Sequence, residues 1–202
     1  VEYAKKTVRQ GTSALGLVCK DGVLLVADKR IIEKFIVPQS IEKVYQIDEH
    51  IGATASGILS DGRILIERAQ LLCQQHRVIY DSPIDIHSLV KEICDVKQMY
   101  TQVGGARPFG VSILFGGVDK STPRLFVTDP TGIYFEYKAT AIGENETEIK
   151  DILYKKYRDT ITIDEGIKLS IETLRQVLGK GYDLERVDGA FIRIGDKQFQ
   201  RL

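Results

Sequence analysis

Thr12 follows Gly11 just ahead of an apolar run, and Asp28 comes sixteen residues later. A threonine and a carboxylate at that spacing suit hydrolysis by a threonine nucleophile, with the threonine's own free amine as base. The chemistry needs a third group, a lysine thirty-two residues after the threonine, whose charge lowers the proton affinity of the hydroxyl. Val44 stands there, and the nearest lysine is Lys43. Neighbouring strand residues point to opposite faces of a sheet, so Lys43 is expected to face away from Thr12. Eleven residues precede Thr12, which ties its amine into a peptide bond. Two readings follow. Either Thr12 is structural, or residues 1–11 are a propeptide whose removal at Gly11–Thr12 frees a nucleophile. In the first reading Asp28 is a solvated strand-end carboxylate facing Lys29 or Arg30, a pair of little worth.

Other reactive side chains gather less well. His50, His76 and His87 lie far apart without ligand spacing, so no metal site is expected. The segment from Gly104 to Gly110 lacks the Gly-Lys-Ser/Thr ending that would cradle a phosphate, and no cofactor is expected. Cys19, Cys73 and Cys94 are an odd count in apolar stretches, which suggests core thiols in a reducing, cytoplasmic compartment. Basic and acidic side chains balance at 28 each, so charge gives no argument for nucleic acid or a membrane surface. No apolar run approaches the ~20 residues of a membrane span.

The elements that must position these residues follow from periodicity. Residues 14–19 and 23–27 are apolar runs joined by Lys20-Asp21-Gly22, a hairpin signal. Strands are expected at 42–47 and 51–56. The period then becomes helical: Leu65, Ala69, Leu72 and His76 share one face. Ile86, Leu89, Val90, Ile93, Cys94 and Tyr100 share another, with Asp85 placing negative charge at that helix's start. Strands resume at 111–115, 124–128 and 135–142, and helices at 146–157 and 164–178. The stripe Ile167, Ile171, Leu174, Leu178 marks the buried side of the last helix. A final hairpin spans 187–194 and 198–202. Adjacent strands require antiparallel pairing, and two helix pairs must cover two apolar sheet faces. The expectation is an α+β fold, one domain over residues 1–202, built as a four-layer α/β/β/α sandwich with two stacked antiparallel sheets.

Several strings now carry a family resemblance. Val1-Glu2-Tyr3-Ala4, Ser40-Ile41-Glu42-Lys43, Ser56-Gly57-Ile58, Arg107-Pro108-Phe109-Gly110-Val111-Ser112 and Glu136-Tyr137-Lys138-Ala139-Thr140-Ala141-Ile142-Gly143 occur in that order. Together they closely resemble the α subunits of archaeal proteasome core particles, along the whole chain. The resemblance implies the N-terminal-nucleophile hydrolase fold without catalysis. It implies a homo-heptameric ring of α subunits, stacked on proteolytic β subunits, that admits unfolded protein substrates. It also implies pockets between neighbours where the C-termini of AAA ATPase activators dock. Carried over residue by residue, the docking lysine falls on Lys43, the small residue beside it on Gly11, the apolar wall on Ile58 and the acidic residue on Glu2. Tyr3 matches an aromatic that supports the gate. The channel constriction falls on Val103, Gly104, Gly105 and Ala106.

The departures are specific. The family has a longer N-terminus than the one starting at Val1, so the expectation is a ring without its gate. Val103 stands where a bulky tyrosine is common, and Lys5 where arginine is expected. Ser60-Asp61-Gly62 replaces a more usual Ala-Asp-Ala, and Gly62 should cost its helical turn roughly 1 kcal/mol against alanine.

Overall fold

The structure, a computed structural model, describes all 202 residues. It opens with a helix the sequence reading lacks, α1 (Glu2–Arg9). Only Ala4 and Val8 of α1 are buried, and they pack towards β4 and β5. Two small apolar residues in a charged octet are too faint a stripe to read. Strand β1 therefore begins at Ala14, and Thr12 lies in the connection before it.

Strands β1 (Ala14–Cys19) and β2 (Gly22–Asp28) form the expected hairpin, with Cys19 opposite Gly22. β3 (Val44–Asp48) and β4 (Ile51–Gly57) follow a long connection, and β3 starts two residues later than expected. Helices α2 (Leu59–Tyr80) and α3 (Ile86–Gln102) come next, then β5 (Val111–Asp119) and β6 (Thr122–Thr128). The Asp85 carboxylate accepts the Ser88 N–H at 3.0 Å, so it caps α3 as well as meeting its dipole.

The single strand expected over 135–142 is two strands in different sheets. β7 (Tyr134–Glu136) pairs with β6, and β8 (Ala139–Ile142) pairs with β1. The Tyr137 N–H reaches Leu125 O in one sheet, while Lys138 O accepts the Val18 N–H in the other. Strand-like residues continue through the corner, so composition does not mark it. Helices α4 (Glu146–Lys156) and α5 (Ile163–Leu178) precede β9 (Val187–Arg193) and β10 (Phe199–Arg201).

All strand pairs are antiparallel, in sheets ordered β10-β9-β2-β1-β8 and β3-β4-β5-β6-β7. Three buried clusters define the four layers. One lies between α2, α3 and the second sheet, one between α4, α5 and the first, and one between the sheets. Some helix faces are turned from expectation. Leu174 is buried, but Ile167, Ile171 and Leu178 lie at the margin of a stripe through Ile163, Gly166, Ser170 and Thr173. Leu72 and His76 are likewise marginal, beside buried Ile66 and Cys73. Tyr100 is half-exposed and rests edge-on against Phe109 at 4.7 Å. No helix is long and apolar enough to cross a membrane.

Candidate docking cavity

One end of the sandwich holds a cavity of about 830 Å3 where the exit of α1, the end of β2, the start of β3 and the first turns of α2 converge. Gly11 is at its rim. A Cβ there would collide with the backbone nitrogen of Gly57, so only glycine lets these two segments touch. Further hydrogen bonds close the junction. Gly11 O accepts the Glu144 N–H at 2.7 Å. Ser56 Oγ donates to Thr12 O, Ser13 Oγ donates to Glu144 O, and Arg30 pairs with Glu144.

Lys43 lines this cavity together with Gly11 and Thr12, which corrects the expectation that it faces away. The count from Thr12 ran through residues 29–43, which are not strand and keep no alternation. Direction is set locally instead. One oxygen of Asp188 accepts the N–H groups of both Lys43 and Val44, at 2.8 and 3.0 Å, and pins the start of β3. Val44 then enters the core between the sheets and Lys43 turns into the cavity. The Lys43 side chain is buried, with the residue only 6% exposed. Its ammonium makes no hydrogen bond and no ion pair within the chain, whereas Lys29 Nζ on the same wall donates to Pro38 O at 3.2 Å. Burial pushes the Lys43 ammonium below its ordinary range. The charge of Asp28 pulls it part of the way back, and Arg30 adds to the depression.

Asp28 is not the solvated carboxylate expected. It is 1% exposed and held by both arms of Arg186, at 3.0 and 2.7 Å, and it accepts the Arg30 N–H. Its partner lies on the approach to β9, far away in sequence, where no local rule could find it. Thr12 Oγ1 is buried and has no hydrogen-bond partner, so Lys43 does not reach it. The three groups of the hypothetical hydrolase thus gather at one end of the fold without the contacts that would activate a hydroxyl.

The remaining residues singled out in the sequence lie elsewhere. Ile58 caps the start of α2 and packs over Gly110, next to the cavity lining and not in it. Glu2 is exposed in the first turn of α1, with Lys5 at 4.0 Å, and Tyr3 beside it is 79% exposed. Val103 ends α3, and Gly104 and Gly105 have open space where a side chain would be. This exposed loop, with Ala106, is tied down at its far end. Asp61, buried in the first turn of α2, accepts both arms of Arg107 at 2.6 and 2.8 Å and the Gly110 N–H at 2.9 Å. Burial alone would raise the Asp61 carboxyl, but these bonds outweigh it and hold it below the usual carboxylate range.

A second buried lysine escaped the sequence reading. Lys97 of α3 is fully buried and donates to Val111 O at 2.8 Å, Thr128 Oγ1 at 2.9 Å and Asp129 O at 3.3 Å. Burial lowers its pKa to about 8, against opposing pulls from Cys94 and Asp129. The signal was present, since Lys97 continues the apolar stripe Leu89, Val90, Ile93, Cys94. The cysteines are buried thiols raised to about 12 by burial. No three His, Cys, Asp or Glu side chains gather as metal ligands.

A family model described as proteasome subunit matches residues 8–192. The chain is 50% identical to a protein named proteasome subunit alpha from Methanocaldococcus jannaschii, over all of this chain and 77% of the relative. It is 48% identical to the protein of the same name from Methanopyrus kandleri, over 81% of that relative. For the Archaeoglobus fulgidus protein, also named proteasome subunit alpha, the identity is 43% over 82% of its length.

Proposed function

The chain belongs to the proteasome subunit family, on its alpha side, and from that premise we propose that it is a non-catalytic ring subunit that docks activator tails. In this reading identical copies form the outer ring of a cytoplasmic core particle, stacked on proteolytic β subunits. Unfolded protein passes through an opening edged by the loop from Val103 to Ala106. The cavity at Gly11 and Lys43 receives the C-termini of AAA ATPase activators, with a neighbouring copy supplying further wall, Glu2 and Ile58 included.

The observation that carries the docking reading is the Lys43 side chain, buried along its length, with an ammonium at the cavity wall that has no acceptor within the chain. A peptide C-terminus brings a carboxylate to such a donor, and Ile32, Ile36 and Leu59 line the same space for the apolar side chain behind it. Absence of catalysis follows from Thr12. Its amine is acylated by Gly11, and its hydroxyl has no base or lysine in reach. A propeptide reading of residues 1–11 is disfavoured because α1 packs on the sheet and Gly11 is locked against Gly57.

The test titrates a peptide ending in hydrophobic–tyrosine–any residue against assembled rings of the parent chain and of Lys43→Ala. Affinity should fall about ten- to a hundredfold, the ~1.5–3 kcal/mol of a charged hydrogen bond. Equal affinity for both would remove Lys43 from the site and the docking reading with it.

A further inference from the structure

A buried amine that has no acid partner and opens on a roomy cavity is a nucleophile as well as a charge. We propose that Lys43 is a covalent capture site for small aldehydes that also carry an anionic group, such as phosphorylated aldehydes, through an imine at Nζ. The inference stands on the cavity and the free amine; it borrows from the docking reading only the consequence that a captured aldehyde would block a tail.

Three observations support it. The amine has no carboxylate within ion-pair distance, because the carboxylate nearest in charge, Asp28, is held by Arg186. Burial disfavours the ammonium and outweighs the opposing charge of Asp28, with Arg30 adding to the depression, so more free amine is present than on an exposed lysine. The cavity also has room and counter-charge. Lys29 and Arg63 line it without carboxylate partners. Of the carboxylates on the same lining, Glu42 is paired with Arg201, while Glu33 and Glu67 oppose an anion, so the substituent must sit on the Lys29 and Arg63 side while the carbonyl faces Nζ. In the reaction the Nζ lone pair adds to the carbonyl carbon, and the amine gives up its two protons. The carbonyl oxygen leaves as water and the C=N bond forms, with no change in oxidation state.

Pyridoxal 5′-phosphate is the probe, applied in limiting amount to the full chain, trapped with sodium borohydride and located by peptide mapping. Lys43 should be labelled at least tenfold faster than exposed Lys6, Lys34 or Lys120. Pyridoxal, lacking the phosphate, should label Lys43 about tenfold more slowly. Lys43→Arg keeps the cation but cannot form the imine, and should lose this label alone. Labelling spread in proportion to exposure, or equal rates for the two aldehydes, would overturn the proposal. A tail peptide added first should protect Lys43. Labelling that persists under saturating peptide would sink the docking reading and leave capture standing. Tail binding without selective labelling would do the reverse.

Discussion

Lys43 and Lys97 are both buried lysines in one chain, and they differ in what receives their protons. Lys97 gives three hydrogen bonds to β5, β6 and the residue after β6, so its charge is consumed inside the fold. Lys43 gives none, although only its backbone is firmly held, by Asp188. A buried charge that is fully hydrogen-bonded can serve the fold, while one left bare costs free energy in the isolated chain. Burial depresses both ammonium groups, so burial does not tell them apart. The partner count does, and it marks Lys43 as the group that waits for something from outside.

Substituting methionine at each position should therefore move stability in opposite directions. Lys97→Met leaves Val111 O, Thr128 Oγ1 and Asp129 O without their donor and should cost about 3 kcal/mol, read by denaturant unfolding at fixed chain concentration. A loss under about 1 kcal/mol would mean that the three bonds contribute little, and the contrast would collapse.

The same pair of chains gives a pH signature. The folded pKa of Lys97 is about 8, below its ordinary 10.5. Between those values the unfolded chain keeps a proton that the folded chain has lost, so stability should rise with pH across this window. It should fall as pH drops through 8, leaving the burial cost complete below. The difference between parent and Lys97→Met should track this by up to about 3 kcal/mol, and a flat difference from pH 7.5 to 10 would refute it.

Lys43→Met should act the other way and stabilise the isolated chain by up to about 1 kcal/mol, because the apolar side chain fills the same volume and removes an ammonium that burial disfavours. Destabilisation here would show that Lys43 has a partner after all. The smallest effect is expected at Gly62, in the first turns of α2. An added Cβ would meet Ala55 at 3.4 Å and Val111 at 3.5 Å, which is ordinary contact, so Gly62→Ala should stabilise by up to about 1 kcal/mol. Its unfolding midpoint gives the neutral scale against which the two lysines are judged.

The layers were legible because they rest on local periods. Apolar runs bounded by turn residues marked β1 and β2, which are buried on both faces, and the 3.6-residue repeat marked α2, α3 and α5. The sheet change at Tyr137-Lys138 was not, because an extended chain can hand its hydrogen bonds to a new sheet without altering its composition. Within the site, family strings put Gly11 and Lys43 side by side, while counting put Lys43 on the wrong face. Counting failed because alternation holds only inside a strand, and the fifteen residues from Lys29 to Lys43 are connection. The grip of Arg186 on Asp28 and of Arg107 on Asp61 join residues far apart in sequence, and no local pattern announces them.

The position of β2 in its sheet sets a clock for a chain still being made. β2 is flanked by β1, its immediate neighbour in sequence, and by β9, with Gly22 opposite Arg193. At a synthesis rate of roughly 5–20 residues per second, about ten to thirty seconds pass between the appearance of one edge and its mate. During that wait the apolar run Gly22–Asp28 offers an open ladder to any other strand nearby. A newborn chain is thus most exposed to mispairing just before its last hairpin arrives, and its yield depends on how crowded it is with its own siblings during those seconds.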